Sequence, residues 1–394
     1  MSFEFYEDVK QTRKKLTDSD YYMSKHKRKR NTEHWKEFDI SFIKDDDVVA
    51  LIDGDFVVFK AASNEMKRYI QVEIDGVIKK FGGYRELKKY LKEIDREDEY
   101  SYFYDKCIRG QYNNPRALIN AKSTIKKKIK NIADEVGATV VIVFMGSDGN
   151  HRDSLPLPKL QSDSISCFKY KGQRGSEWVP ETLDNLKEWT RTSYYSHWSV
   201  GRETDDDITI TFHRMTDKGI KAVLCAVDKD YNQEHCGGLY IIGHHDKPTM
   251  FQDTEENRLG WLGLDRTKKP PKMKGHGDMF LAYQMITEDD ADNYSAKKFL
   301  KQYGTLGDFG DVAALKLLSK AKTRTELWQI VYDHFCKYLP EELDYEDCFG
   351  EVRYYCTPIY FVNLYYKCAK MMEHTSYVAD IRELFDELGV IYDK

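Results

Sequence analysis

Eight acidic residues fall into four short groups whose spacing suits metal-assisted hydrolysis. Asp53 follows the apolar run at residues 48–52. Glu203, Asp205 and Asp206 stand together in Glu203-Thr204-Asp205-Asp206. Asp228 and Asp230 flank Lys229. Asp289 and Asp292 are three apart, a spacing that on a helical turn puts both carboxylates on one side. Brought together, such a set repels itself, because neighbouring carboxylates do not all ionise without a counter-charge. Divalent cations supply one: Mg²⁺ takes hard oxygen ligands, keeps several waters and bridges to phosphate. Two such ions ~4 Å apart cleave phosphodiesters, one activating water and the other stabilising the leaving oxygen. An Asp after a strand is also an ordinary turn or helix cap, and Asp45, Asp46, Asp47 and Asp207 read as solvated or capping acids.

The elements that must position these groups are those of an α/β sheet. Residues 48–52, 139–144 and 222–227 are continuous β-branched and apolar runs, the pattern of strands covered on both faces. Helical stretches separate them, which predicts crossover units and a central, mainly parallel sheet flanked by helices. Asp53 and Asp228 then lie just beyond strand carboxyl ends, where open α/β sheets bind ligands. Residues 83–134 are lysine-rich with helical spacing at Leu87, Tyr90, Leu91 and Ile94. Residues 145–200 carry few long apolar runs and suit an excursion from the sheet. Gly237-Gly238 reads as a turn, Pro270-Pro271 as a loop, and the chain beyond about 275 as largely helical.

Composition removes whole classes of function. The 394 residues allow two or three domains, and 41 % hydrophobic with 13 % aromatic residues exclude a disordered chain. The longest apolar runs fall far short of the ~20 residues that span a bilayer, and acids near the start oppose a signal peptide. Eight Cys with no Cys-x-x-Cys pair read as reduced thiols and a cytoplasmic setting. His235-Cys236 and His244-His245 fit no tetrahedral zinc spacing. The net charge of −5 hides clusters of bases at 25–30, 122–130 and 266–274. A local basic patch is enough for nucleic-acid binding, although the acidic total opposes a purely electrostatic coating protein.

Between the second strand and the Glu203 group lies Tyr170-Lys171-Gly172-Gln173-Arg174. With it, the chain from about 48 to 320 resembles the 5′ nucleases: bacteriophage 5′→3′ exonucleases, flap endonucleases and the 5′-nuclease domains of bacterial DNA polymerases. The family's first-strand Asp corresponds to Asp53, and its Tyr-Lys-x-x-Arg motif to Tyr170, Lys171 and Arg174. Its Glu-Ala-Asp-Asp block corresponds to Glu203, Asp205 and Asp206 with Thr204 for Ala. Its Asp-Lys-Asp block is intact as Asp228, Lys229 and Asp230. Its Gly-Asp-x-x-Asp-Asn block resembles Glu288 to Asn293, with Glu288 for the glycine and Tyr294 where an Ile-Pro-Gly turn usually starts. Asp278 competes for that block but lacks the following Asp-Asn, and Asp148 is the nearest match to a further family acid. Gly310 to Leu318 resembles the family's helix–hairpin–helix.

The resemblance implies a PIN-like nuclease core with a helix–hairpin–helix C-terminal region, acting on DNA with 5′ ends, flaps or RNA primers. Asp53, Glu203, Asp205 and Asp206 would hold one Mg²⁺, and Asp228, Asp230, Asp289 and Asp292 a second, with Mn²⁺ as a substitute. Lys171 and Arg174 would contact phosphate at the reacting bond, with Tyr170 stacking on a displaced base. Gly310 and Lys316 would meet duplex phosphate, with K⁺ at the hairpin. The implied setting is phage DNA replication, primer removal or DNA degradation in a bacterial cytoplasm, away from membranes; protein partners are not legible in the sequence. Asp55 reads as a residue that orients the ligands. The expected divisions are a basic extension at 1–44, a nuclease core at 45–274 with a helical gateway at 145–200, a helix–hairpin–helix region at 275–324 and a helical extension at 325–394. Two other readings stay open: a ribonuclease of the same fold acting on structured RNA, and a DNA-structure-binding protein with weakened catalysis.

Overall fold

A computed structural model describes residues 37–113, 115–146, 149–160, 169–172, 179–242, 247–375 and 378–393. The described residues form two compact units, one within 54–131 and 179–194 and one made of the others. The division expected at 45–274 is thus interrupted by a unit of its own. Chain order explains this. β1 (Val48–Asp53), wholly buried from Val49 to Ile52, leads directly into the smaller unit.

The smaller unit begins with α1 (Gly54–Asn64) and continues through β2 (Met66–Ile74), β3 (Val77–Phe81), α2 (Tyr84–Glu93), α3 (Tyr100–Lys106), β4 (Ile108–Asn113) and most of α4 (Ala117–Val136). Its strands pair antiparallel in the order β3-β2-β4. Asp75-Gly76, both at positive φ, make the tight turn between β2 and β3, as a two-residue hairpin requires. Alternate residues Ile70, Val72 and Ile74 pack on Leu87 and Leu91 of α2 and Phe103 of α3. Helices therefore cover one face of this sheet. The helical reading of residues 83–134 missed β4, which lies between two helices.

In the larger unit β1 pairs with β5 (Val140–Gly146) on one side. Beyond β5 lies β6 (Tyr195–Ser199), which follows the smaller unit's α5 (Leu183–Ser193). After α6 (Thr204–Thr216) the chain returns to the other side of β1 as β7 (Lys221–Ala226), then β8 (Gly237–Ile241) and the antiparallel edge strand β9 (Thr249–Phe251). The order is β6-β5-β1-β7-β8-β9, mainly parallel as expected from the apolar runs. Growth reverses beside β1, and such a switch point opens a crevice at the strand carboxyl ends. Three strands of this sheet were not expected, the short edge strand β9 among them. β6 is a polar, aromatic edge, and β8 begins at the Gly237-Gly238 pair that reads as a turn.

The remaining elements are α7 (Glu255–Leu259), the hairpin β10 (Trp261–Asp265) and β11 (Lys272–His276), α8 (Gly277–Ile286), the short hairpin β12 (Glu288–Asp289) and β13 (Tyr294–Ser295), α9 (Ala296–Tyr303), α10 (Asp311–Leu318), α11 (Arg324–Tyr338), β14 (Leu343–Glu346), β15 (Val352–Cys356), α12 (Pro358–Ala369) and α13 (Ile381–Leu388). Phe299, Trp328, Phe335, Phe361, Tyr365 and Phe385 join these helices in one core. Residues 275–324 and 325–394 consequently share an interior instead of forming a domain and an extension. Leu155, Leu157, Leu160 and Tyr170 enter the same core, so this part of the expected gateway at 145–200 is packed structure. Gly304 between α9 and α10 is required by close approach: a Cβ there would lie 2.3 Å from the Tyr338 carbonyl oxygen. Among the described residues no helix is long and apolar enough to cross a membrane.

Candidate metal centre

Asp53 ends β1 and Asp228 stands two residues beyond β7, with Ile52 and Cys225 in register. The Asp228 carboxylate accepts the Asp230 N–H at 3.0 Å and starts a short 3₁₀ turn, Lys229–Gln233. Capping fixes the backbone that presents Asp230.

Glu203 starts α6, and its N–H donates to Asp206 Oδ2 at 3.3 Å, half of a capping box. The positive end of the helix dipole favours the acids gathered there. They face different ways. Asp206 is wholly buried and takes a two-pronged contact from Arg152 at 2.7 and 2.9 Å, plus the Met372 N–H at 2.9 Å. Burial opposes its charge, yet the guanidinium holds its carboxyl well below the usual range. Asp207 is buried too, paired with Arg202 and with His197 Nε2 at 3.0 Å, so it is no solvated acid. Asp205 faces the strand ends and accepts the Tyr231 hydroxyl at 2.8 Å. Burial first, then the charges of Asp53, Asp228 and Glu203, push its carboxyl well up.

The third group lies on the β12–β13 hairpin, which corrects the helical-turn reading of Asp289 and Asp292. Asn293, at positive φ, closes this turn. Asp230, Asp289 and Asp292 each offer an oxygen, all within 4.8 Å of one another. Burial, then Asp228, raise the Asp230 carboxyl. Gln284 donates to Asp230 at 2.6 Å, and Lys229 pairs with Asp289 at 2.7 Å. Glu288 pairs with Lys297 at 2.5 Å and Lys298 at 2.9 Å, so the residue in place of glycine is neutralised by two lysines at the start of α9. Asp278 accepts Arg324 Nε at 2.8 Å and Trp328 Nε1 at 2.9 Å. It belongs to the first turn of α8, after a strand, where the sequence suggests a flexible loop.

Lys171 joins the two acid groups. Its ammonium pairs with Glu203 and lies 3.4 Å from Asp292 Oδ1. Burial alone would lower its pKa; Glu203 and Asp292 hold it above the ordinary lysine value. Tyr170 spans the same gap, its hydroxyl donating to Asp292 at 2.9 Å and lying 3.3 Å from Glu203. Its ring is 4 % exposed within the apolar core, which corrects the stacking role: a buried ring offers no face to a base. Arg174 and Asp148 lie outside the described residues. Asp55, in the smaller unit, pairs with Lys187 at 2.6 Å. Gly310 precedes α10 and Lys316 lies in its last turn, both exposed.

Arg152 escaped the sequence reading. It is buried, contacts Glu203 at 3.1 Å, and donates to the carbonyls of Lys367 at 3.2 Å and Lys370 at 2.7 Å. Residues 367–372 thereby close the acid cluster from behind, with Gln233 bonded to the Ala369 carbonyl at 2.8 Å.

The donor set fits hard divalent cations. It is all carboxylate, crowded enough to raise Asp205 and Asp230, and without a thiol or imidazole in the three-acid group. Asp292→Asn is therefore expected to raise the Mg²⁺ concentration for half-maximal binding, measured by titration calorimetry. Asp278→Asn is expected to leave it unchanged while lowering stability by ~1 kcal/mol through weakened hydrogen bonds.

Comparison with protein families and with curated proteins gives no match. Among solved structures the chain is similar to the bacteriophage T5 D15 protein co-crystallised with metal ions, at TM-score 0.40 and 12 % identity over 72 % of this chain and 78 % of that one. It is similar to a T5 5′-exonuclease with bound zinc at TM-score 0.39 and 13 % identity, over 84 % and 86 % of the two chains. A T5 flap endonuclease complex with DNA and metal ions gives TM-score 0.36 and 14 % identity, over 52 % and 68 %. At TM-scores of 0.40 and below, the functional reading rests on this chain's own residues.

Proposed function

We propose that the chain is a divalent-metal-dependent 5′ nuclease hydrolysing DNA phosphodiesters near 5′ ends, exonucleolytically or at flaps. One observation carries this reading. Asp230, Asp289 and Asp292 converge within 4.8 Å, and Asp205 is electrostatically crowded by Asp53, Asp228 and Glu203, with Lys171 joining the two sets. Asp53, Glu203, Asp205 and Asp228 would hold one Mg²⁺ or Mn²⁺; Asp230, Asp289 and Asp292 would hold another. Bound there, the ions would lower the pKa of water and neutralise charge at the leaving oxygen. Asp206 keeps the start of α6 in place through its bond to the Glu203 N–H and its pairing with Arg152. Tyr170 fixes the spacing of Glu203 and Asp292. Lys171 would turn its ammonium to a phosphate oxygen once cations share the carboxylates it now neutralises. The turn from 304 to 310, with Lys316, would meet duplex phosphate and K⁺. Phage DNA replication, primer removal or DNA degradation is the setting that the family resemblance suggests.

The test is incubation of 5′-labelled flap DNA, and of RNA of the same sequence, with Mg²⁺, Mn²⁺, Ca²⁺ or a chelator. The expected result is label release from DNA with Mg²⁺ or Mn²⁺, little with Ca²⁺ and none with chelator. Asp228→Ala should abolish release with the fold intact. Equal release in chelator would overturn the metal reading, and release from RNA alone would move the substrate to RNA.

A further inference from the structure

Two buried amides stand behind the three-acid group, and the proposed reaction gives them no task. Gln284 is 1 % exposed, and Gln233, at the end of the Lys229–Gln233 turn, is 3 % exposed. Among the buried residues of α8, Gln284 has the one polar side chain. Packing alone would favour an apolar residue there, because a buried amide costs free energy unless its hydrogen bonds are made.

Those bonds run in one direction. The Ala369 carbonyl, at the end of α12, can only accept, and it takes an N–H from Gln233 at 2.8 Å. The same Gln233 amide donates to Gln284 Oε1 at 2.9 Å. With its oxygen taken, Gln284 turns its own NH₂ group to Asp230 Oδ1, 2.6 Å away. The carbonyl therefore settles which way both amides point. Reversing Gln233 would set its oxygen against the Ala369 oxygen, and reversing Gln284 would set its oxygen against the Asp230 carboxylate. The backbone at Asp230 is fixed separately, by the Asp228 carboxylate that accepts its N–H at 3.0 Å. The Gln284 bond fixes what remains, the rotation of the Asp230 carboxyl group on its own stem.

We propose that Gln284, locked by Gln233, is a positioning residue for metal binding. It holds the Asp230 carboxylate in the orientation that lets it share a divalent cation with Asp289 and Asp292. The inference rests on the metal part of the nuclease reading and not on the choice of substrate. A hydrogen bond behind a metal ligand sets affinity, and losing one costs about 10–100-fold. The end of α12 thereby serves the acid group through a backbone carbonyl, which no side-chain pattern marks.

The experiment uses the full chain without DNA and follows Mg²⁺ binding by titration calorimetry. Asp292→Asn identifies the transition that belongs to the three-acid group. Gln284→Met keeps the side-chain length and removes the donor, and it is expected to weaken that transition about 10-fold. Gln233 bonds to no acid among the described residues, yet Gln233→Met leaves Gln284 able to turn. It is expected to weaken the same transition by a smaller factor. The double variant is expected to bind as Gln284→Met does, because Gln233 acts through Gln284. Urea midpoints taken alongside identify a packing defect, which lowers stability and leaves Mg²⁺ affinity alone. Parental Mg²⁺ affinity in both single variants would overturn the proposal, and so would losses that simply add in the double variant. Should Gln284→Met fail to fold, Gln233→Met decides: parental affinity there overturns the proposal, and weakened affinity upholds it. Variants that bind as expected, in a chain that releases no label from flap DNA, would uphold the positioning role and sink the nuclease reading alone. Label release with Mg²⁺ by a parent whose variants bind the ion equally well would sink the positioning role alone. A parent that binds no Mg²⁺ would end both.

Discussion

Arg152→Met is expected to cost about 3–5 kcal/mol of folding stability, the loss typical of a buried ion pair broken on one side. The guanidinium is buried, grips Asp206 with two bonds and ties down the carbonyls of Lys367 and Lys370. Without it, Asp206 keeps the backbone N–H groups of Glu203 and Met372 and, 3.8 Å away, Nδ1 of the buried His151 ring, whose charge burial disfavours. The pH dependence has a definite sign. In the parent, the folded Asp206 pKa is depressed, so its contribution is present above the ordinary carboxylate value and is lost as pH falls through the lower, folded value. In the variant, burial without a cation raises that pKa, and the stability deficit should shrink on acidification. Urea midpoints at neutral and mildly acidic pH measure both quantities. A cost under about 1 kcal/mol, or a deficit that widens with acid, would show that Arg152 is not the buried counter-charge. Pairing Arg152→Met with Asp206→Leu should restore most of the loss, because apolar replacement of both partners is often neutral.

That arrangement shows where sequence stops being informative. Apolar runs in β1, β5 and β7 mark a two-sided parallel sheet because each run's own pattern requires burial. The acids at their ends are legible for the same reason: a strand's end has a position, and the topology supplies the meeting point. Arg152 has no such signal. Its partners lie between 51 and 218 residues away, and nothing local distinguishes it from a surface arginine. β6 and β8 were hidden because one is polar and the other begins with two glycines, and pairing with a buried neighbour overrides weak strand propensity. The β2–β3 hairpin is different. Ile70, Val72 and Ile74 alternate before Asp75-Gly76, a strong hairpin signal in a segment, 66–81, to which the sequence reading assigned no element. In the third acid group, the residues were legible and their geometry was not. A spacing of three fits a helical turn, yet Asp290 to Asn293 make a hairpin turn, for which Asn at positive φ was the available clue.

Lys171→Ala should separate two quantities that a structural residue would move together. The ammonium pairs with Glu203 and lies 3.4 Å from Asp292, so it occupies the electrostatic position between the acid groups. Removing it leaves the carboxylates more anionic, and Mg²⁺ binding without DNA should become tighter. Cleavage should move the opposite way. A cation beside the reacting phosphate stabilises charge that grows in the transition state, and losing one such donor costs about 10²–10³ in rate. Duplex affinity in Ca²⁺ should stay close to that of the parent, because many phosphate contacts share that work. Single-turnover rates, Mg²⁺ titration and DNA binding read the three effects independently. Weaker Mg²⁺ binding with slower cleavage would make Lys171 a scaffold for Glu203 and Asp292. Normal cleavage at saturating DNA would leave it as a docking contact. Only tighter metal binding with a slower chemical step fits an ammonium that neutralises the acids at rest and the phosphate during reaction.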